Sequence, residues 1–291
     1  MILVSGATGM LGSEICRLLA DQGRLVRGLV RTTSNPAQVA ELERRGLEVV
    51  RGDLKDTASL DTACAQISTV ISSATSIHSK QEGDSIPAVD QQGQLNLVDA
   101  AARAGLKHFV LVSFPVIDVP FPLQAAKRAV EDRLTSSGMT YTILQPTFFS
   151  EIWLSPALGF DPGNATARIY GTGKNGVSWI SFRDVAACAA GSVDNPRAAN
   201  KVIRLGGPEA LSPLEVVGLA EEVTGKTFAV QHVPEEAIRM QHGAATDPLQ
   251  QSFAGLMLYY AHGAVIDPAE AERAFPGYKP RSVREYLETG T

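Results

Sequence analysis

Met1-Ile2-Leu3-Val4-Ser5-Gly6-Ala7-Thr8-Gly9-Met10-Leu11-Gly12 opens as an apolar run, stops at a glycine, and carries two more glycines at three-residue intervals. A strand, a tight turn and a helix N-terminus are expected in a row. The turn needs glycine because the backbone must bend sharply and approach a ligand with no Cβ in the way, and the unpaired N–H groups of the next helix favour an anion. Leu11, Ile15, Leu18 and Leu19 then recur at helical spacing, Gly23 stands where a helix would end, and a second apolar run, Leu25 to Val30, stops at Arg31. Strand, helix, strand is the context that a dinucleotide pyrophosphate site requires.

Outward from that stretch, composition sets the bounds. A chain of 291 residues can bury a large core, and 44% hydrophobic with 20% charged residues is the balance of a globular protein. A net charge of -5 with no basic block argues against nucleic acid as a partner. Cys16, Cys64 and Cys188 are odd in number and widely spaced, which fits a reducing cytoplasm, and the five histidines show no metal-ligand spacing, so no metal is expected. The sequence starts directly on an apolar strand with no charged-then-apolar leader, and no apolar run reaches membrane-span length; a cytoplasmic protein with no membrane association is the expectation.

Along the chain, Pro36 opens a helix that Gly46 closes, and Leu47 to Val50 forms a third strand. A short helix (Thr57 to Ala65), a fourth strand (Thr69 to Ala74), a polar loop (76–87), a helix (Ala88 to Arg103) and a fifth strand (Phe109 to Ser113) follow. A proline-punctuated loop leads to a helix (Gln124 to Ser136) and a sixth strand (Tyr141 to Leu144). Six strands alternating with helices, several too apolar for one wet face, imply an α/β, doubly wound parallel sheet. Beyond Pro146 the alternation loosens. Val177 to Phe182, Lys201 to Leu205 and Phe228 to Val233 read as strands, Pro213 to Thr224 as a helix, and Glu235 to Leu258 and Ala269 to Leu287 as mainly helical. The expected organisation is a nucleotide-binding domain over residues 1–146 and a smaller C-terminal α/β substrate lobe over 147–291, interleaved with the first rather than independent.

Arg31 ends the second strand, where the adenosine ribose of a dinucleotide belongs. An acid there would accept from a 2′-hydroxyl; an arginine neutralises a 2′-phosphate. The alternative is a surface arginine; with Thr32, Thr33 and Ser34 adding hydroxyls and no acid nearby, NADP(H) is expected over NAD(H). Asp53, after the third strand, either meets the adenine amino group or caps the next turn.

Taken together, Gly6-Ala7-Thr8-Gly9-Met10-Leu11-Gly12, Val30-Arg31, Gly52-Asp53-Leu54, Lys127 within Ala126-Lys127-Arg128-Ala129-Val130-Glu131, Tyr141-Thr142-Ile143-Leu144-Gln145-Pro146 and Phe182-Arg183-Asp184-Val185-Ala186 resemble the NmrA-like branch of the atypical short-chain dehydrogenase/reductases. That branch includes isoflavone reductase-like enzymes, and the likeness covers nearly the whole chain. It implies a Rossmann domain in which Gly6, Thr8, Gly9, Met10, Leu11 and Gly12 hold the pyrophosphate, Arg31 the 2′-phosphate, and Asp53 with Leu54 the adenine. Ser73 and Ala74 would line the cofactor cleft, and Pro146 would lie near the nicotinamide.

The resemblance breaks at one point. Short-chain reductases place a tyrosine four residues before a lysine, so that on one helix the lysine lowers the phenol pKa. Here Leu123 precedes Lys127 at that spacing, and leucine donates no proton. By likeness to the isoflavone reductase-like enzymes Lys127 serves as general acid or base, or it binds the nicotinamide ribose; the roles are compatible. Ser113 holds the position of the serine that orients a substrate carbonyl, or is a strand-end hydroxyl satisfying a turn. Tyr259 and Tyr260 are further candidate proton donors. Phe114, Phe148, Phe149, Trp153 and Phe160 either line an apolar substrate pocket or form lobe core. Two functions follow: an NADPH-dependent reductase of a small apolar carbonyl, quinone or conjugated double bond, or a non-catalytic NADP(H)-sensing regulator that binds a protein partner. A homodimer is compatible with either.

Overall fold

The computed structural model describes residues 1–290 apart from His78 and Lys80. In chain order the first half runs β1 (Ile2–Ser5), α1 (Met10–Asp21), β2 (Val26–Val30), α2 (Pro36–Arg44), β3 (Glu48–Arg51), α3 (Thr57–Cys64), β4 (Thr69–Ser72), α4 (Gln94–Arg103), β5 (His108–Val112), α5 (Pro122–Thr135) and β6 (Thr140–Pro146). The second half runs α6 (Ser150–Trp153), β7 (Phe160–Asp161), β8 (Thr166–Tyr170), α7 (Phe182–Gly191), β9 (Lys201–Leu205), α8 (Pro213–Thr224), β10 (Ala229–Val233), α9 (Glu235–Ala244), α10 (Pro248–His262), α11 (Ala269–Ala274) and α12 (Val283–Thr289). The chain divides into two compact units: Met1–Ser113 with Pro122–Leu144 and Val185–Ile203, and Phe114–Phe121 with Gln145–Asp184 and Arg204–Thr291.

The first unit is built on a seven-stranded sheet of order β3-β2-β1-β4-β5-β6-β9. The six strands through β6 pair in parallel. Every residue of β1, β2, β4 and β5 is buried, which is why these runs are largely apolar instead of alternating, with Arg27 of β2 paired to Glu48 and to the carbonyls of Ala63 and Ala65. Strand order reverses between β1 and β4, and such a switch point opens a crevice at the carboxyl ends of the strands. The expected six strands are all present, and β9 adds a seventh.

The second unit has its own core, in which Phe148, Trp179, Tyr260, Val216, Leu258 and Val283 are buried together. Its three-stranded sheet has the order β10-β8-β7, with β8 and β10 parallel and β7 and β8 antiparallel. One expectation is corrected here. Val177 to Phe182 does not form a strand: it makes isolated bridges, from Val177 to Leu211 and Ala264 and from Ile180 to Phe149. Its apolar side chains are buried as a core-lining segment, and burial without a ladder looks the same in sequence. β10 pairs with β8, a strand absent from the sequence reading, whose exposed Thr166 and Arg168 alternate with buried Ala167 and Ile169. No helix among the described residues is long and apolar enough to cross a membrane.

Candidate functional site

The glycine turn leads directly from β1 into α1. Gly6 has φ +77°, a left-handed conformation that favours glycine, and a Cβ on Gly12 would stand 2.0 Å from the Gly6 carbonyl oxygen, so the helix can start this close to the turn only with glycine there. The N-cap of α1 is Gly9, which has no side chain to satisfy the first-turn N–H groups. Gly9 and Met10 are exposed and Thr8 is half-buried, while Leu11 and Gly12 are buried beneath them. This is an open backbone cradle at the positive end of a helix, and it fits a pyrophosphate.

Ser73 and Ala74 lie against the turn. A Cβ on Gly6 would be 3.0 Å from both Ala74 N and Ser73 Oγ, and the Ser73 hydroxyl donates to the Ser5 carbonyl (3.0 Å). Beneath them runs a buried polar chain not anticipated from sequence. Ser5 and Ser72 hydroxyls are 2.8 Å apart, Ser72 donates to Gln94 Oε1 (2.7 Å), and Gln94 Nε2 donates to the Ala74 carbonyl (2.8 Å). It fixes the end of β4 against the switch point by satisfying groups that would otherwise be buried unpaired.

At the ribose position the expectation of no acid near Arg31 is overturned. Arg31 Nη1 lies 2.5 Å from Asp84 Oδ2 and 3.3 Å from Ser79 Oγ. Asp84 also forms an ion pair with Lys55 and accepts from the Ser79 hydroxyl at 2.5 Å. Its side chain is 2% exposed, against 41% for Arg31. Burial works to raise the Asp84 pKa, and the hydrogen bonds from Lys55 and Ser79 with the charges of Lys55 and Arg31 overcome it, so the carboxyl stays below its ordinary value. The acid escaped the sequence reading because it arrives from a polar loop 53 residues further on.

Of the two roles open for Asp53, the turn cap is present: its Oδ1 accepts from Lys55 N at 2.9 Å, and Oδ2 accepts from Gln81 Nε2 at 3.4 Å. Leu54 is buried, and its carbonyl accepts from Asn96 Nδ2 at 3.0 Å.

Lys127, on α5, is 7% exposed. Burial, partly opposed by the charges of Asp90 and Glu131, holds its ammonium below the usual lysine pKa. Facing it at 3.9 Å is Asp90 Oδ1, on a side chain with no exposure, in a π-helical segment (Ile86–Gly93) that runs into α4. The other carboxylate oxygen, Oδ2, accepts from Ser76 N (2.9 Å) and Oγ (2.6 Å), whereas Oδ1 has no hydrogen bond among the described residues. π-helical turns concentrate at functional sites, and an unsatisfied buried carboxylate oxygen beside a buried amine invites a reacting group or a water between them. Sequence spacing gave no sign of this pair. Leu123 is 2% exposed one turn before Lys127, so the tyrosine position is apolar interior. The Ser113 hydroxyl accepts from Arg128 Nη2 at 3.0 Å, and Arg128 also pairs with Glu131 at 2.9 Å.

In the second unit Phe148 is 4% exposed, with Trp153 edge-on at 4.5 Å between centroids and Tyr259 at 5.1 Å. Trp153 stacks on Tyr260 at 5.5 Å, Phe160 pairs with Phe228 at 5.7 Å, and Phe114 stacks on Phe121 at 5.9 Å. Phe148 and Phe160 are therefore lobe core; Phe114, Phe149 and Trp153 are half-buried, and Pro146 is buried at the end of β6. Burial pushes the Tyr259 phenol up to about 12 and raises Tyr260 as well, which makes both poorer proton donors. Among the described residues no cluster of histidine, cysteine and carboxylates could hold a metal, and Cys16, Cys64 and Cys188 are buried thiols.

A Rossmann unit with a glycine cradle, a cation after β2 and a buried lysine on α5 defines a dinucleotide-binding protein of the short-chain reductase kind. The chain belongs to the NmrA-like family, whose model matches residues 1–287. It is 33% identical over 230 residues to an NAD(P)H azoreductase of Xenophilus azovorans, covering 78% of this chain and 74% of that one. It is 30% identical over 241 residues to the photosystem II assembly factor Ycf39 of Synechocystis, covering 82% and 72%. A crystal structure of isoflavone reductase superposes with a TM-score of 0.79 at 24% identity, covering 100% of this chain and 99% of that one, which confirms the doubly wound fold.

Proposed function

We propose that the protein is an NADPH-dependent reductase of a small apolar carbonyl, quinone or conjugated double bond, the azo bond of its azoreductase relative being one such acceptor. The observation that carries this reading is Lys127: an amine held almost out of solvent, with a lowered pKa, facing an unsatisfied carboxylate oxygen in the nucleotide-binding unit. A lysine kept charged only by Asp90 and Glu131 gives up its proton more readily than one in water, which suits a general acid where Leu123 has removed the phenol. When bound, the nicotinamide supplies hydride. Gly6, Thr8, Gly9, Met10, Leu11 and Gly12 would hold its pyrophosphate, Arg31 its 2′-phosphate, and Lys127 the nicotinamide ribose. On this reading Ser73 and Ala74 would line that crevice, Pro146 would lie near the nicotinamide, and Ser113 would orient a substrate oxygen. Phe114, Phe149 and Trp153 are the aromatic rings left for an apolar substrate.

A second reading, a non-catalytic NADP(H) sensor with a protein partner, is favoured by the same Leu123 and by the relative named as an assembly factor. Calorimetric titration with NADPH, NADP+, NADH and NAD+ comes first, followed by NADPH oxidation with a panel of quinones, aldehydes, enones and azo dyes. Binding of the phosphorylated pair with turnover of a panel member is expected. Tight binding with no turnover at high protein concentration would replace the reductase by the sensor, and no binding would remove both. Arg31→Ala should weaken NADP+ about ten-fold or more and NAD+ far less, as loss of a charge-assisted hydrogen bond does; equal weakening would end the assignment of the 2′-phosphate to Arg31.

A further inference from the structure

The cluster around Arg31 has an occupant already. Asp84 receives a guanidinium (Arg31 Nη1, 2.5 Å), an ammonium (Lys55) and a hydroxyl (Ser79 Oγ, 2.5 Å), and its side chain is 2% exposed. A guanidinium, an ammonium and a hydroxyl converging on oxygen form the donor set of a phosphate monoester site. The three donors come from the carboxyl-terminal side of three strands of one sheet: Arg31 after β2, Lys55 after the adjacent β3, and Ser79 after β4, on the far side of β1. That edge is where a dinucleotide fold receives the ribose.

The charges balance without a ligand. Arg31 and Lys55 are positive, Asp84 is negative, and Asp53, 3.8 Å from Lys55 Nζ, is the second negative group. Arg51 approaches only through a 3.5 Å hydrogen bond to the Arg31 carbonyl. A phosphate monoester brings about −1.5 to −2 charges. It would enter a neutral cluster whose donors are already engaged, so it must take them from the carboxylate.

We propose that Asp84 is an internal stand-in for the 2′-phosphate: its carboxylate holds Arg31, Lys55 and Ser79 in place, the phosphate of NADP(H) displaces it, and Lys55 is a phosphate ligand together with Arg31. Asp84 thereby sets cofactor specificity, because it opposes the phosphorylated nucleotide and not its 2′-hydroxyl counterpart. The inference rests on the nucleotide-binding reading above and deepens it.

The test is calorimetry of the full chain and two variants, Asp84→Asn and Lys55→Gln, with 2′,5′-ADP and 5′-AMP, which differ only by the 2′-phosphate, and with NADP+ and NAD+. Asp84→Asn keeps the size of the side chain and removes its charge. It should tighten 2′,5′-ADP and NADP+ about ten-fold or more while changing 5′-AMP and NAD+ less than about two-fold, since removing a like charge beside a bound phosphate is worth at least that much. Lys55→Gln should weaken the phosphorylated pair by a similar factor and spare the others. Unchanged or weaker 2′,5′-ADP binding by a folded Asp84→Asn protein would make Asp84 a fixed strut and overturn the proposal. If that variant does not fold, Lys55→Gln decides: no selective loss overturns it. Wild-type protein that binds none of the four nucleotides removes the function reading and this inference with it. Nucleotide binding without the predicted change in the ratio removes this inference alone.

Discussion

The two halves of the crevice in the first unit are made in opposite ways. The glycine turn is backbone chemistry within one stretch of seven residues: a left-handed Gly6, an uncapped helix at Gly9 and a Gly12 with no room for a Cβ. The lysine site is side-chain chemistry assembled across the chain, with Asp90 from a π-helical turn, Ser76 from the preceding loop and Lys127 from α5, all within the buried interior. The first is rigid because no other residue type fits its geometry. The second is poised, with an amine and a carboxylate close enough to influence each other and, among the described residues, no hydrogen bond donated to Oδ1 to hold them together. On the proposed function, pyrophosphate binding would rest on local sterics and proton transfer on electrostatics between residues far apart in the chain.

The largest effect should come from the rigid half. Gly12→Ala puts a methyl 2.0 Å from a backbone oxygen, which relaxation can relieve only by moving α1 away from the turn. A loss of about 3 kcal/mol in denaturant unfolding and of nucleotide binding by calorimetry is expected; near-wild-type stability would mean that the turn is softer than the lysine site. Next, Lys127→Ala should lower NADPH-dependent turnover about 100-fold or more while the protein still unfolds cooperatively, the range expected for a proton donor. Full retained activity would leave Lys127 a structural residue.

Asp90→Asn sharpens the electrostatic side. The Asp90 charge favours the charged amine, so its removal lowers the Lys127 pKa further. A reduction that needs the protonated amine loses rate as pH rises through that pKa, so the alkaline limb of the kcat profile should move to lower pH. A profile that keeps its midpoint while the rate falls would limit Asp90 to packing. The smallest effect should be Tyr260→Phe. Tyr260 lies at 5% exposure among Phe148, Trp153, Tyr170 and Trp179, so turnover should stay within about two-fold and stability within about 0.5 kcal/mol. A large loss of turnover would restore the phenol as proton donor.

What could be read from the sequence follows the same division. The turn, the strands through β6 and the helices between were legible because each rests on neighbours: apolar runs, glycine φ requirements and helical spacing. Lys127 was visible through family likeness and Leu123 as the departure from it. Asp84 and Asp90 were not visible as site residues, since an acid in a polar loop and an acid opening a helix look like surface until the fold brings them to Arg31, Lys55 and Lys127. Val177 to Phe182 misled for a related reason. An apolar run reports burial, and only pairing partners decide whether burial becomes a strand.

The position of β9 has a consequence for synthesis. The sheet ends in β6-β9, yet β9 begins at Lys201, after the chain has laid down β7, β8 and α7. On a ribosome delivering about 5–20 residues per second, β6 emerges several seconds before the strand that covers its edge. During that interval the nascent sheet presents an unpaired edge of buried-type residues, Thr142 to Pro146, that another chain could pair with. A fragment ended at residue 146 would keep that edge permanently, so the shortest piece of this chain that carries all seven strands of the sheet must reach Leu205.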